Sequence, residues 1–281
     1  MLKLFSIIFL GLTLNIILAD TDIISFEKLW ETEADLKIPE SVCYNSKDNV
    51  LYVANINGRS NELDDNGFIS RISLEGDIVD LKWITGLNAP KGMVIYKDRL
   101  YVTDILDLVI IDIEKNKISS RIPAPDAEFL NDITVDEMGI IFITDMRSNI
   151  IYRYKDNNME KWFLEVDQPN GIFYENNKLH IGNSGTGEIF ELDLQTISIT
   201  RKIEIGSGID GLKRFASNSY LTSDWSGRTA LIDEKGILHT ILDTSSENVN
   251  AADLEYIPKK RMLLIPTFFN NRVIAYKLET D

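Results

Sequence analysis

The sequence is short of cysteine, histidine and proline. Its 281 residues include one cysteine, two histidines and seven prolines. A lone cysteine excludes an internal disulfide, so the hydrophobic core has to stabilise the fold. Cys43 stands in the apolar stretch Val42-Cys43-Tyr44, where we expect a buried structural thiol rather than a reactive one.

Positive charge is also scarce. There are 29 lysines and arginines against 44 aspartates and glutamates, which gives a net charge of −15. A chain this acidic repels nucleic acid and anionic lipid, and it attracts cations. The same excess keeps an exported protein soluble, so by itself the charge does not prove a cation site.

Long apolar runs occur only at the start of the chain. Lys3 precedes an apolar run from Leu4 to Leu18, and Ala19-Asp20 follows as a small residue before a polar segment. This order predicts a secretory signal peptide over residues 1–19. The alternative is a retained anchor, but the run is shorter than the about 20 residues that span a bilayer. We therefore expect an exported protein, periplasmic or extracellular, that is not membrane-bound after cleavage.

Helical periodicity is absent after this leader, and a repeat takes its place. Six segments open with similar tetrads, and the second residues of the tetrads are spaced 51, 40, 39, 40 and 42 apart. They are Glu40, Lys91, Asn131, Asn170, Asp210 and Ala252. A period near forty, built from short strands and polar turns, is typical of β-propeller blades. The polar stretch 57–66 explains the long first spacing as an extended loop.

Each segment contains further strands after its opening tetrad. The second strands read LYVAN, LYVTD, IFITD, LHIGN, YLTSD and LLIPT, and each ends in a small polar residue. Weaker fourth strands are predicted at 79–84, 118–122, 161–165, 199–204 and 238–242. The sixth segment has none before the chain ends, and residues 24–31 (ISFEKLWE) are predicted to fill that place.

The sequence thus predicts an all-β fold, a six-bladed β-propeller with four antiparallel strands per blade, over residues 20–281 as a single domain. The N-terminal strand closes the last blade. We expect a monomer. The first strand of each blade lies nearest the central channel, so the second residues of the tetrads should form a ring at one end of it.

The ring is rich in oxygen ligands. It offers two carboxylates, Glu40 and Asp210, and two carboxamides, Asn131 and Asn170, at one register of four blades. Hard cations such as Ca²⁺ prefer such a set, and no cysteine or histidine falls in the ring to favour a transition metal. Turn propensity alone also places Asn and Asp at such positions, so the argument depends on all four together.

These tetrads resemble those of the gluconolactonase/regucalcin (senescence marker protein) family. The resemblance rests on LNDI, PNGI and IDGL, with Glu at the same register of blade 1, and extends over about residues 24–281. It implies that Glu40, Asn170 and Asp210 bind a divalent metal, most often Ca²⁺. It also implies that Asn131 lies beside the metal and contacts substrate or metal, and that Asp210 acts as general base, so that Asp210 and Asn131 form the catalytic pair.

Two departures from that family bear on function. Glu40 is followed by Ser41-Val42 where the family has Gly-Pro, and Lys91 puts a cation on the ring. Lys91 is interpreted either as a ligand for an anionic substrate group or as a salt-bridged structural residue.

Two functions are consistent with the pattern. The one we favour is a metal-dependent hydrolase, a lactonase that acts on a lactone or a related small cyclic ester, with Asn131, Lys91 and Trp225 as substrate-binding residues. The alternative is a non-catalytic propeller that binds a ligand or partner protein around a structural metal. Trp225 and Phe268-Phe269 either line the pocket mouth or cap the blades, and His180 and His239 are predicted to lie away from the site.

Overall fold

The computed structural model describes residues 14–17 and 23–280. The predicted cleavage point at Ala19 lies outside these ranges. Within them, the backbone of β1 (Leu14–Ile17), part of the predicted leader, pairs antiparallel with β2 (Ile23–Glu31). In the described ranges, no helix is long and apolar enough to cross a membrane.

The first three blades are four-stranded antiparallel sheets in simple up-and-down order. Blade 1 contains β3 (Pro39–Asn45), β4 (Val50–Asn55), β5 (Gly67–Ile72) and β6 (Ile78–Leu87). Blade 2 contains β7 (Pro90–Tyr96), β8 (Arg99–Asp104), β9 (Asp107–Asp112) and β10 (Lys117–Pro123). Blade 3 contains β11 (Leu130–Val135), β12 (Ile141–Asp145), β13 (Ile150–Lys155) and β14 (Asn158–Phe163).

The last three blades complete the ring. Blade 4 contains β15 (Pro169–Glu175), β16 (Lys178–Asn183), β17 (Glu188–Asp193) and β18 (Ser198–Glu204). Blade 5 contains β19 (Leu212–Ala216), β20 (Ser219–Asp224), β21 (Arg228–Ile232) and β22 (Leu238–Asp243). Blade 6 contains β23 (Glu255–Ile257), β24 (Met262–Pro266) and β25 (Val273–Thr280), with β2 as its fourth strand. Three short 3-10 helices lie in blades 5 and 6, at Ser245–Glu247, Pro258–Lys260 and Phe268–Asn270.

The prediction of a six-bladed propeller is confirmed, including its closure. β2 pairs antiparallel with β25 from Ile24↔Thr280 to Glu31↔Ile274. Each first strand contacts the first strands of both neighbouring blades, in the order β3, β7, β11, β15, β19, β23 and back to β3. These six strands therefore surround the central channel as predicted.

Several strand boundaries differ from the predictions, and the fourth strand of blade 1 runs to Leu87 instead of residue 84. The fourth strand of blade 3 begins at Asn158 instead of residue 161, because Asp156 and Asn157 both have positive φ and form a two-residue hairpin turn. The first strand of blade 5 begins at Leu212, the last residue of its tetrad, and that of blade 6 begins at Glu255, beyond its tetrad. The first strand of blade 6 begins late because the backbone before it is hydrogen-bonded to another blade.

That bond joins blade 6 to blade 1: the backbone N–H of Asp253 donates to the carbonyl of Glu40 at 3.0 Å. Apolar side chains fill the spaces between adjacent blades, as where Tyr52 stacks on Trp83 at 4.6 Å between ring centres and Met93 packs nearby. Cys43 belongs to the same cluster and is 6% exposed, as predicted for a structural thiol.

Candidate functional site

The ring residues reach the channel through a local irregularity of the first strands. In blades 1 to 4 the pairing with the second strand shifts register within the opening tetrad. A bulge of this kind bends the strand and re-aims a side chain. In blade 5 the strand begins only at Leu212, the last residue of the tetrad, but Asp210 N–H still donates to Ser223 O at 2.8 Å.

Hydroxyl groups hold the backbone of the ring in place. Thr144 Oγ1 donates to the carbonyl of Asn170 at 2.9 Å, and Thr103 Oγ1 donates to that of Asn131. In the same way, Ser223 Oγ donates to the carbonyl of Ala252 in blade 6, and Ser41 Oγ donates to that of Lys91 in blade 2. Each hydroxyl thus fixes the ring residue of the next blade. The sequence contains a signal for this that the residue-by-residue reasoning missed: three second strands end in Thr-Asp or Ser-Asp.

Three of the predicted residues form one hydrogen-bonded chain. Asn131 Nδ2 donates to Asn170 Oδ1 at 2.6 Å, and Asn170 Nδ2 donates to Asp210 Oδ1 at 2.9 Å. Asn131 and Asn170 are buried, whereas Asp210 is half-buried at the edge of a cavity. The structure therefore places these residues of blades 3, 4 and 5 in contact.

Two acceptor atoms of the ring lack a donor. Glu40 Oε2 and Asn131 Oδ1 are buried and have no hydrogen-bond partner in the described part of the chain. An unpaired buried polar group of this kind costs about 1–3 kcal/mol. Burial, and secondarily the Asp210 carboxylate, raises the pKa of Glu40 well above its usual value. A cation bound by Glu40 would satisfy the first of these oxygens and lower that cost.

Asp210 is perturbed in the same direction. Burial, together with the Asp253 carboxylate, raises its pKa to about 7, against the lowering effect of the bond from Asn170. In the absence of a cation, a carboxyl group with a pKa near neutrality is suited to accept and return a proton, and a bound cation would lower that pKa.

Lys91 has a role that neither interpretation described. It is 1% exposed, and its ammonium donates to the carbonyls of Ala89 at 2.9 Å and Ser60 at 3.0 Å. Ser60 belongs to the polar insertion of blade 1, so Lys91 ties that insertion to the ring. Nζ also lies 4.3 Å from the ring centre of Phe129. Burial lowers the pKa of Lys91 to about 8, with Glu40 and Asp104 opposing the shift.

A cavity of about 730 Å³ opens above the ring. All five polar ring residues line it, together with the insertion of blade 1 and the predicted aromatic residues Trp225, Phe268 and Phe269. This volume lies within the range of small-molecule sites. His180 and His239 are not among the lining residues, in agreement with their predicted exclusion.

Sequence reasoning missed a second group of charges around the channel. Asp132 and Asp253 are buried, and Lys213 Nζ lies 3.8 Å from Asp253 Oδ2. Burial raises the pKa of Asp132 well above its usual value, and Asp253 adds to the effect. The signal was the third residue of the tetrads, which is Asp in blades 3 and 6 but Gly in blades 2, 4 and 5.

No family model matches the sequence, and no curated protein matches it. Solved structures match it in fold. A virginiamycin B lyase from Staphylococcus aureus, solved with quinupristin, is 13% identical with a TM-score of 0.63 over 91% of this chain and 100% of that chain. A streptogramin B lyase is 12% identical with a TM-score of 0.67, over 91% of this chain and 98% of that one.

A gluconolactonase from Xanthomonas campestris also matches, at 15% identity and a TM-score of 0.67, over 91% of this chain and 90% of that chain. At such identities the likeness establishes the propeller fold. Membership of the gluconolactonase/regucalcin family stays a prediction.

The oxygen ligands that the ring offers fit a hard cation. It combines carboxylate and carboxamide oxygens, two of them buried without a donor. No group of three or more His, Cys, Asp and Glu side chains suited to a metal is found among residues 14–17 and 23–280. The ring residues Glu40, Asn170 and Asp210 contain only two carboxylates, so a metal there would depend on the carboxamide.

Proposed function

We propose that this protein is a hydrolase of a lactone or related small cyclic ester, which uses a divalent cation, Ca²⁺ by its ligand chemistry. The observation that carries the proposal is the pair of buried acceptors without donors, Glu40 Oε2 and Asn131 Oδ1, at the floor of a cavity of small-molecule size. Glu40, Asn170 and Asp210 would hold the cation. When bound, it would polarise the ester carbonyl as a Lewis acid.

The chain's own residues supply the proton transfers. Asp210 takes a proton from a water molecule as the water oxygen attacks the carbonyl carbon. The same carboxyl then returns the proton to the ring oxygen as the C–O bond of the lactone breaks, which releases a hydroxy acid. Asn170 holds the Asp210 carboxylate through Nδ2, and Asn131 holds Asn170 in turn. Asn131 Oδ1 remains available to accept a hydrogen bond from water or substrate.

The alternative function is a non-catalytic propeller that binds a ligand or partner protein. The observation in its favour is Lys91, whose buried ammonium lies on the same ring and opposes a dication. It is fixed there by two carbonyls, so it does not turn away from the channel.

The test combines metal analysis of the purified protein with hydrolysis of a panel of lactones. We expect bound Ca²⁺, and we expect Asp210→Asn to lower kcat/KM by about 100-fold or more because the general base is lost. Asn170→Ala should abolish the rise in melting temperature that Ca²⁺ produces in the wild type. Asp136→Asn is the matched control, since Asp136 is a buried carboxylate in a hairpin turn that does not line the cavity.

Each outcome separates the two functions. Bound Ca²⁺ with no turnover of any lactone would favour the binding module. Absence of bound metal, with a melting temperature that Ca²⁺ does not change, would remove the cation site and the hydrolase with it.

A further inference from the structure

The cavity above the ring has an aromatic wall. Trp225, Phe268 and Phe269 follow the second strands of blades 5 and 6, and their rings meet edge to face. Ring centres are 4.8 to 6.0 Å apart at interplanar angles of 76° to 83°. Trp225 is 49% exposed and Phe269 is 60% exposed, and both line the cavity. A large exposed apolar patch inside a cleft marks a binding surface.

The backbone that presents this wall is held in an unfavourable conformation. Phe268 has a φ of +49°, in the left-handed region that bulky residues avoid. Hydrogen bonds between Thr267 and Arg272 hold the loop, with Thr267 N–H to Arg272 O at 2.9 Å. On blade 5, Asn250 Nδ2 donates to the carbonyl of Trp225 at 2.8 Å. Strain that the surroundings maintain is typical of ligand-contacting loops.

A fourth aromatic residue lines the cavity on the side opposite this wall. Phe129 precedes the first strand of blade 3, which lies opposite blade 6 in a six-bladed ring. Two cations flank it: Lys91 Nζ at 4.3 Å and the Arg147 guanidinium at 4.4 Å from the ring centre. Phe129 is 6% exposed, so it is a fixed part of the cavity lining.

Several polar groups of the lining are already paired within the protein. Lys91 donates to two carbonyls, Asp224 accepts from Ser207 and Arg228, and Ser184 Oγ donates to Gln168 O. A sugar lactone has a hydroxyl group on most carbons, and each buried hydroxyl needs a partner of its own. The lining suits a ligand with one polar end and an apolar body.

The aromatic wall also lies next to the ring. Asp210 N–H donates to the carbonyl of Ser223, two residues before Trp225. A ligand whose ester reaches Asp210 therefore has its remaining part beside Trp225. We propose that the cavity takes an aryl-bearing cyclic ester, and that Trp225 and Phe269 determine this specificity. The ester reaction rests on the proposed function, whereas the preference for an aryl group can be tested by binding alone.

The test uses lactams, which keep the shape of lactones but resist hydrolysis. Calorimetric titration with 3,4-dihydroquinolin-2-one, an aryl-fused δ-lactam, is compared with titration with gluconolactam, its polyhydroxylated counterpart. We expect the aryl lactam to bind at least about tenfold more tightly, since its ring can contact the exposed aromatic rings of the wall.

Variants assign the effect to the wall. Trp225→Ala and Phe269→Ala should each weaken aryl-lactam binding about fivefold to tenfold. Trp225→Phe should retain part of the affinity. Met138→Ala is the control, because Met138 is 76% exposed but does not line the cavity, and its affinity should equal that of the wild type. Tighter or equal binding of gluconolactam, or unchanged aryl affinity in Trp225→Ala, would overturn the proposal.

Parallel hydrolysis assays with dihydrocoumarin and glucono-δ-lactone separate the two proposals. Aryl-lactam binding that depends on Trp225, with no turnover of either lactone, would leave the specificity standing and refute the hydrolase. Turnover of glucono-δ-lactone without aryl-lactam binding would support the hydrolase and refute the preference for an aryl group.

Discussion

Two sets of polar side chains recur through the blades, and they differ in their partners. One set opens the first strands and forms the ring at the cavity. The other lies at the end of the second strand, or directly after it in blade 6, and consists of Asn55, Asp104, Asp145, Asn183, Asp224 and Thr267. The residue types are nearly the same, yet the second set is bonded within its own blade, whereas Glu40 and Asn131 of the ring each keep a buried oxygen without a donor in the described residues.

Asp145 belongs to the second set, and both of its carboxylate oxygens have hydrogen-bond donors. It is fully buried, and its carboxylate accepts hydrogen bonds from four backbone N–H groups, those of Glu128, Phe129, Arg147 and Ser148, at 2.8 to 3.1 Å. Glu40 Oε2 has no partner at all in the described residues. Residue type alone therefore does not separate a structural carboxylate from a candidate ligand, whereas the hydrogen bonds that each carboxylate accepts do.

The largest effect should follow from removing the charge in the satisfied set. Asp145→Asn replaces one acceptor oxygen by an NH₂ group that faces two N–H donors. We expect a loss of about 3–4 kcal/mol in the free energy of unfolding, because two hydrogen bonds to a charged group are lost. Denaturant titration measures it. A loss below about 1 kcal/mol would mean that the second set is not structural.

A second prediction tests whether an unpartnered buried atom always marks a site. His180 Nδ1 has no partner either, but the residue lies outside the cavity and stacks on Phe173 at 4.4 Å. Burial lowers its pKa to about 4 from 6.5, with Glu191 opposing the shift. The unfolded chain therefore binds more protons between these pH values, and stability falls as the pH falls from about 6.5 towards 4.

The expected loss across that window is up to about 3 kcal/mol, since one pKa unit corresponds to about 1.4 kcal/mol. His180→Phe should keep the stacking and flatten this part of the pH profile, as measured by urea denaturation between pH 4 and 7. Turnover should be unchanged at neutral pH. An acid limb that is equally steep in the variant would show that another group causes it.

The third prediction applies the Asp145 change to the ring. Glu40→Gln also converts a carboxylate to its amide, but here the pKa is raised, so the charged form is unfavourable in the fold. The protonated Glu40 carboxyl therefore contributes to the free energy of unfolding of the wild type, and this contribution is lost as the pH rises through the raised pKa. At pH 8 without Ca²⁺ the variant should be as stable as the wild type or more stable by about 1 kcal/mol.

Added Ca²⁺ should then stabilise the wild type and leave Glu40→Gln unchanged, as followed by thermal melts. If Glu40→Gln were as destabilising as Asp145→Asn, the two sets would not differ and the comparison would fail.

The smallest effect on global stability is expected at Lys91. Lys91→Met keeps the length of the side chain and removes the bonds to Ala89 and Ser60, with a change in unfolding free energy within about 1 kcal/mol. The insertion of blade 1 loses its tie to the ring, so trypsin should cut after Arg59 faster. Lys82→Met, on the outer strand of the same blade, should not alter that rate.

Much of the fold was predictable because the repeat constrains it. Spacing near forty and the strand after each tetrad locate the blades, and the missing fourth strand of blade 6 assigns residues 24–31 to it. The predicted strand boundaries were wrong where other hydrogen bonds replace those between paired strands, as at Asp253. They were also wrong where a two-residue turn at Asp156-Asn157 lets a strand begin early.

The site was predictable in composition but not in connectivity. Register places Glu40, Asn170 and Asp210 at one end of the channel, since it depends only on strand order. The bonds of Lys91 depend on the path of a polar insertion, which no periodicity specifies. The exposure of Trp225 likewise depends on how its loop packs against the next blade, so the sequence left it open between two interpretations.

The pairing of β2 with β25 also bears on how the ring assembles. Glu31 lies beside Ile274, so a strand that precedes blade 1 in the chain completes a sheet whose other strands follow blade 5. Five blades can form from neighbouring strands as the chain emerges, but the sixth needs a contact across almost the whole sequence, with the largest loop to close. Closure of that seam is therefore expected as the last event of folding, and its opening as the first step of unfolding.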